Sequence, residues 1–203
     1  MDQHPLQEST VESLDFNVYD LELKSLDGNE DILKNKKGKV TMLVNVTGEC
    51  ANSAQYNIIQ DLYDEYKDQG FEVVAIPSTD FCQDAYGEFC DSNASPFNMR
   101  DHMRKLYKTD LPFSELAYIK IDEQNKAHEL YKKIQEGTDP IQGNFEKLII
   151  SKDGKKMKRF CNSDLLDLGY NAGNRTINSE QALSNIKKAI EDFLKEDDQN
   201  NAN

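Results

Sequence analysis

A lone thiol at a strand-to-helix junction is the feature of this sequence with the clearest chemical potential. Cys50 follows the apolar run Val40–Val46 and precedes a helical pattern that opens at Ser53. Functional groups of α/β sheets are presented at such junctions. A helix N-terminus stabilises an anion, so a thiol placed there can give up its proton and act as a nucleophile. Glu49 beside it opposes this by charge repulsion, and the sequence leaves the balance open. A free cysteine can equally be a small buried hydrophobe. Cys82, Cys90 and Cys161 complete the thiol set, with no Cys-x-x-Cys pair among them. Neither a zinc site nor a disulfide framework is indicated, and His4, His102 and His128 have no metal-ligand spacing. Free thiols in a reducing compartment are the expectation.

The elements that would position Cys50 are legible as alternating patterns. Val40–Val46 is a near-continuous β-branched and apolar run, as a strand buried on both faces requires. From Ser53 to Gln69 the residues Tyr56, Ile59, Leu62, Tyr63 and Tyr66 recur at helical spacing, with Gly70 as the stop. Phe71–Pro77 is a second buried strand, and strand, helix and strand together make a βαβ unit with parallel pairing. Ahead of it, extended segments at Tyr19–Leu23 and Asp31–Leu33 flank Asp27-Gly28, which predicts an N-terminal β-hairpin. Behind an irregular stretch from Ser78 to Asn98, the patterns predict a helix over Met99–Tyr107, a strand over Leu116–Ile121 and a helix over Ala127–Glu136. Strands at Phe145–Ser151 and Lys156–Phe160 flank the turn Lys152-Asp153-Gly154-Lys155, and an amphipathic helix over Ser179–Lys195 closes the chain. The order βαβ followed by ββα is that of a thioredoxin-like α/β fold, a central mixed sheet flanked by helices. One domain over residues 13–196 is expected, between a flexible N-terminal tail, 1–12, and a flexible acidic tail, 197–203.

Around the thiol, Thr47-Gly48-Glu49-Cys50-Ala51-Asn52-Ser53 fits two short motifs in part, the Cys-x-x-Ser of monothiol redox proteins and the Thr-x-x-Cys of peroxiredoxins, although Leu43 stands where the latter expect proline. A longer pattern fits better. Gly38-Lys39-Val40, Asn45-Val46-Thr47-Gly48-Glu49-Cys50, Tyr56, Leu62-Tyr63, Gly70-Phe71 and Ile76-Pro77 follow the order and spacing of the glutathione peroxidase family. The likeness resumes at Ala127-His128-Glu129-Leu130-Tyr131. It continues through Asn144-Phe145-Glu146-Lys147-Leu148-Ile149-Ile150 and Lys152-Asp153-Gly154 to Lys158-Arg159-Phe160. The sequence therefore resembles a divergent, cysteine-containing member of that family over most of its length.

The resemblance implies that Cys50 attacks a hydroperoxide and becomes a sulfenic acid, which thiols reduce. It also implies a tetrad in which Gln, Trp and Asn assist the sulfur. Asn144 matches the Asn. Gly143 replaces the Trp. By strict spacing Asp84 replaces the Gln, with Gln83 able to serve only if the loop shifts. Losing one preorganised donor typically costs about a hundredfold or more in turnover. Cys82 and Cys90 are candidate resolving thiols, because Arg104 occupies the nearest match to the usual resolving position. Cys161 reads as structural, and His128 as a helix-start residue.

Two functions follow: a thiol peroxidase reducing hydrogen peroxide or organic hydroperoxides in oxidative stress, or a catalytically impaired relative acting as scaffold or subunit. A redox sensor handing a disulfide to a partner lies between them. No cofactor is expected beyond glutathione or a thioredoxin-like protein as reductant, and a second copy or an assembly partner is the expected protein contact. The net charge of -13 disfavours nucleic acid and anionic membrane surfaces. No apolar run is long enough to cross a bilayer; a cytoplasmic address is the simplest expectation.

Overall fold

The computed structural model describes residues 10–48, 50–81, 95–122, 126–165 and 177–196. Five strands, β1 (Glu12–Ser13), β2 (Val40–Val46), β3 (Phe71–Pro77), β4 (Lys147–Ile150) and β5 (Lys156–Phe160), form one mixed sheet in the order β1-β5-β4-β2-β3. β2 and β3 are parallel over their full length, while β2–β4, β4–β5 and β1–β5 are antiparallel. All seven residues of β2 are buried, as its sequence requires of a strand with a neighbour on either edge and cover on either face.

Among the described residues four α-helices flank the sheet: α1 (Gln55–Tyr66), α2 (Pro96–Tyr107), α3 (Glu129–Gln135) and α4 (Ile177–Lys195). α1 is led by a 3-10 turn over Ala51–Ala54 and ends through another over Lys67–Gln69, where Gly70 takes φ 97°, a left-handed geometry that stops the helix. Its buried stripe, Tyr56, Ile59, Leu62 and Tyr66, packs with Ile186, Ala189, Ile190 and Phe193 of α4 on one sheet face, against Val40, Met42, Val44 and Val46. Leu130, Tyr131 and Ile134 of α3 cover the other face with Val18, Tyr19, Leu23 and Leu33. Ser95 caps α2 by accepting the Asn98 N–H, with Pro96 in the first turn, so this helix opens three residues before the predicted Met99. His128 caps α3, its Nδ1 accepting the Leu130 N–H at 3.2 Å, in the helix-start role its position implied.

Two predicted elements take other forms. The N-terminal hairpin shrinks to a single antiparallel bridge, Lys24 with Asp31, across the Asp27-Gly28 turn. Its ladder stops there because Val18–Asp20 and Lys34–Lys36 wind into 3-10 turns. The segment Leu116–Ile121 forms no strand. Phe113 makes one parallel bridge with Ala75. Farther along, the Asp80 carboxylate accepts the N–H groups of Ile119 and of Lys120, the latter at 2.8 Å, so a side chain takes donors that a ladder would need. Glu12, the last residue assigned to the tail, pairs with Met157.

Candidate active site

Cys50 lies just past the C-terminal end of the central strand β2, half-buried, in extended backbone at the N-cap of the turn that leads into α1. Ser53 makes this a reciprocal cap. Its Oγ accepts the Cys50 N–H at 3.0 Å, and its proton faces the Cys50 sulfur at 3.6 Å and the Gly48 carbonyl at 3.4 Å. Backbone N–H groups of Asn52 and Ser53 also point at the sulfur. These are the donors that steady a thiolate at a helix start.

Burial pushes the Cys50 thiol up from its ordinary value, and the Ser53 hydroxyl and the two backbone N–H groups pull it back only in part. Burial thus favours the protonated thiol in this geometry. Glu49 lies outside the described residues.

Asn144 is brought to the thiol by strand pairing. β4 runs antiparallel to β2, with Val44 opposite Lys147, so the residues entering β4 lie beside the exit of β2. Asn45 fixes them there: its Nδ2 donates to the Gly143 carbonyl at 2.9 Å, its Oδ1 accepts the Glu146 N–H at 3.0 Å and its carbonyl accepts the Phe145 N–H at 2.6 Å. Asn52 adds a tie from the thiol's own turn, donating to the Asn144 carbonyl at 3.1 Å. Phe145 pays for the sharp entry with φ 71°, a left-handed conformation costly for a bulky residue. Its fully buried ring holds the position, meeting Tyr56 edge-on at 5.1 Å.

The Asn144 carboxamide is buried. Its Nδ2 points at the Phe81 carbonyl at 3.5 Å, and its Oδ1 has no hydrogen-bond partner among the described residues. It makes no bond to the sulfur here. Cys82, Gln83, Asp84 and Cys90 lie outside the described residues. Cys161, read as structural, is exposed just after β5, with its sulfur 3.2 Å from Asn162 Oδ1. It is a surface thiol, since the core at this point is filled by Phe160 and Leu165 instead.

Sequence reasoning assigned no role to Asn45, Asn52, Gln55, Lys147 or Asn162, and met Ser53 only as the end of a Cys-x-x-Ser pattern. Gln55 is fully buried at the start of α1 and donates to the Asn162 carbonyl at 2.7 Å. Lys147, fully buried in β4, donates to the preceding carbonyl, that of Cys161, at 2.8 Å. Burial pulls this ammonium down to about 8, against the nearby acidic groups led by Asp164. A polar residue inside an apolar strand was the signal available for Asn45 and Lys147, because such a group must find partners.

Comparison with known proteins agrees with this architecture. The family model for glutathione peroxidase matches residues 18–135. The glutathione peroxidase-like peroxiredoxin gpx1 of Schizosaccharomyces pombe is 31% identical over 144 residues, covering 70% of this chain and 87% of that protein. A glutathione peroxidase of Lactococcus lactis is 31% identical over 157 residues, covering 72% and 90%. Among solved structures, T. cruzi GPX1 superposes with a TM-score of 0.60 at 24% identity, covering 88% of this chain and 97% of that one. The fold is thioredoxin-like, and the chain belongs to the glutathione peroxidase family.

Proposed function

We propose that the chain is a thiol-dependent peroxidase whose attacking group is Cys50. The observation that carries this is the arrangement at the exit of β2: a sulfur faced by Ser53 Oγ and two backbone N–H groups, in a turn that Asn52 ties to the buried Asn144. Family membership supplies the reaction class, and no comparison favours the non-catalytic scaffold.

In the reaction, the Cys50 thiolate attacks the terminal oxygen of a hydroperoxide. An S–O bond forms as the O–O bond breaks, the departing alkoxide takes a proton and leaves as the alcohol or water, and the sulfur, oxidised by two electrons, becomes a sulfenic acid. Ser53 and the helix start hold negative charge on the sulfur before attack. The Asn144 carboxamide, buried beside the thiol's turn, is the proposed polar partner of the reacting oxygen atoms. The sulfenic acid then condenses with a thiol, that of glutathione, of a thioredoxin-like dithiol or of the candidate Cys82 or Cys90, releasing water and leaving a disulfide, and a second thiol of the reductant cleaves this disulfide to restore the Cys50 thiol. Gln83 and Asp84 are the candidates for the remaining donor position. The proposed setting is the cytoplasm; among the described residues no helix is long and apolar enough to cross a membrane.

The test is peroxide consumption by the purified chain with glutathione, or with thioredoxin, its reductase and NADPH, compared with Cys50→Ser. Turnover in the wild type that is lost in the variant supports the assignment. Equal inertness of both proteins at millimolar thiol overturns it.

A further inference from the structure

Position 143 is glycine, and the space a side chain there would enter is already occupied. A Cβ built on Gly143 would lie 2.4 Å from Asn162 Nδ2 and 3.2 Å from its Cγ. The first is shorter than real Cβ contacts, so the Asn162 carboxamide stands directly against the Gly143 backbone and a side chain at 143 would enter only by displacing it. That backbone is itself fixed, because Asn45 holds the Gly143 carbonyl at 2.9 Å.

The backbone at Asn162 is held from its own side. Two fully buried donors on different elements grip consecutive carbonyls of its loop: Lys147 Nζ on β4 takes Cys161 at 2.8 Å, and Gln55 Nε2 on α1 takes Asn162 at 2.7 Å. Burying an ammonium is expensive, and α1 and β4 are the two elements whose starts carry the thiol turn and Asn144. A ring of contacts results. It runs from Cys50 through Ser53 and Asn52, across to Asn144 and Gly143, on to Asn162, and back to α1 through Gln55.

We propose that Asn162 is the side wall of the Cys50 site: it replaces a side chain at position 143 and governs which molecules reach the thiol. Gln55 and Lys147 are positioning residues that act through the backbone of the loop. The inference rests on the peroxidase reading of the same site and adds a specificity element to it. A carboxamide is smaller than a large aromatic side chain and polar, so the wall favours small, polar hydroperoxides over bulky apolar ones.

The experiment reads access to Cys50 without relying on turnover. Peptide-resolved mass spectrometry follows alkylation of Cys50 by iodoacetamide and by the bulkier N-phenylmaleimide, in wild type, Asn162→Gly, Gln55→Leu and the double variant Asn162→Gly/Gly143→Trp. The bulky-to-small rate ratio is expected to rise about tenfold in Asn162→Gly, the lower range for removing a few atoms from a pocket wall. It should rise in Gln55→Leu as well, and return towards wild type in the double variant. Hydroperoxide oxidation of Cys50 should show the same ordering for cumene hydroperoxide against hydrogen peroxide. An unchanged ratio in Asn162→Gly, or both rates moving in parallel with a fall in Tm, overturns the proposal. A Cys50 inert to every hydroperoxide would instead defeat the peroxidase reading and leave the alkylation ratio as the judge of the wall. Should the double variant not fold, Asn162→Gly/Gly143→Ala tests the same exchange of space.

Discussion

Replacing Lys147 by Met should change how stability depends on pH, by an amount the structure lets one work out. The ammonium is fully buried and its proton is lost near pH 8 in the folded chain, against 10.5 for an exposed lysine. Below pH 8 both folded and unfolded states carry the proton, and the folded state bears the whole cost of burying the charge. Between 8 and 10.5 the folded state has released a proton that the unfolded state keeps, so stability rises with pH by about 1.4 kcal/mol per unit. Integrated over the full interval the cost is about 3 kcal/mol, of which about 1.2 kcal/mol is recovered between pH 7.5 and 9. The raised Cys50 thiol is common to both proteins and cancels in their difference. Met is of similar length and carries no charge. Urea unfolding of both proteins at intervals from pH 7.5 to 9 is the assay, and the difference between the two unfolding free energies should change by about 1 kcal/mol in favour of the wild type as pH rises. Parallel curves would refute the reasoning, for they would mean that position 147 carries no proton lost in this range.

Ser53→Ala removes the hydroxyl that faces the sulfur and accepts the Cys50 N–H; alkylation of Cys50 at pH 7 should slow about tenfold, the effect of about 1.4 kcal/mol on the thiolate population. Asp80→Ala strips the acceptor from the Ile119 and Lys120 N–H groups and should cost about 1–3 kcal/mol by urea unfolding, for want of a partner to the buried donor. Gly154→Ala should be destabilising by at least about 1 kcal/mol in the same assay, because Gly154 has φ 74° and a Cβ there would lie 2.1 Å from Asn17 Oδ1. A variant as stable as wild type at either position would count against these contacts.

What the sequence makes legible is what local pattern alone determines. β2 and β3 follow from uninterrupted β-branched and apolar runs, and the stripe of α1 from its spacing and from Gly70. The N-terminal hairpin and the strand at Leu116–Ile121 mislead for a shared reason: their apolar content is real, since Leu23, Leu33, Ala117 and Ile119 are all buried, but the flanks of the first wind into 3-10 turns and in the second the Ile119 and Lys120 donors go to Asp80. Apolar residues signal burial, and only the hydrogen-bond partners decide what conformation buries them. At the site, position along the chain and the family pattern together point to Cys50 and Asn144. The residues that hold these two in place act over long separations, Asn45 to Gly143, Asn52 to Asn144 and Gln55 to Asn162. No spacing rule links such pairs, and the exchange between Gly143 and Asn162 becomes visible only when both are seen in space.

The antiparallel pairing of β2 with β4 also sets how this protein tolerates changes of length. Each step forward along β2 is matched by one step back along β4, from Thr41 opposite Ile150 to Val44 opposite Lys147, so the distance from the thiol turn to Asn144 is counted in strand residues. Residues inserted in the connection between α3 and the entry to β4 would lengthen the rim and leave that count unchanged. Deleting a single residue within β4 would turn its side chains to the opposite face and carry Asn144 away from Cys50. Loop grafts that retune access to the site therefore belong in the first of these segments, and the second admits only substitutions that keep its length.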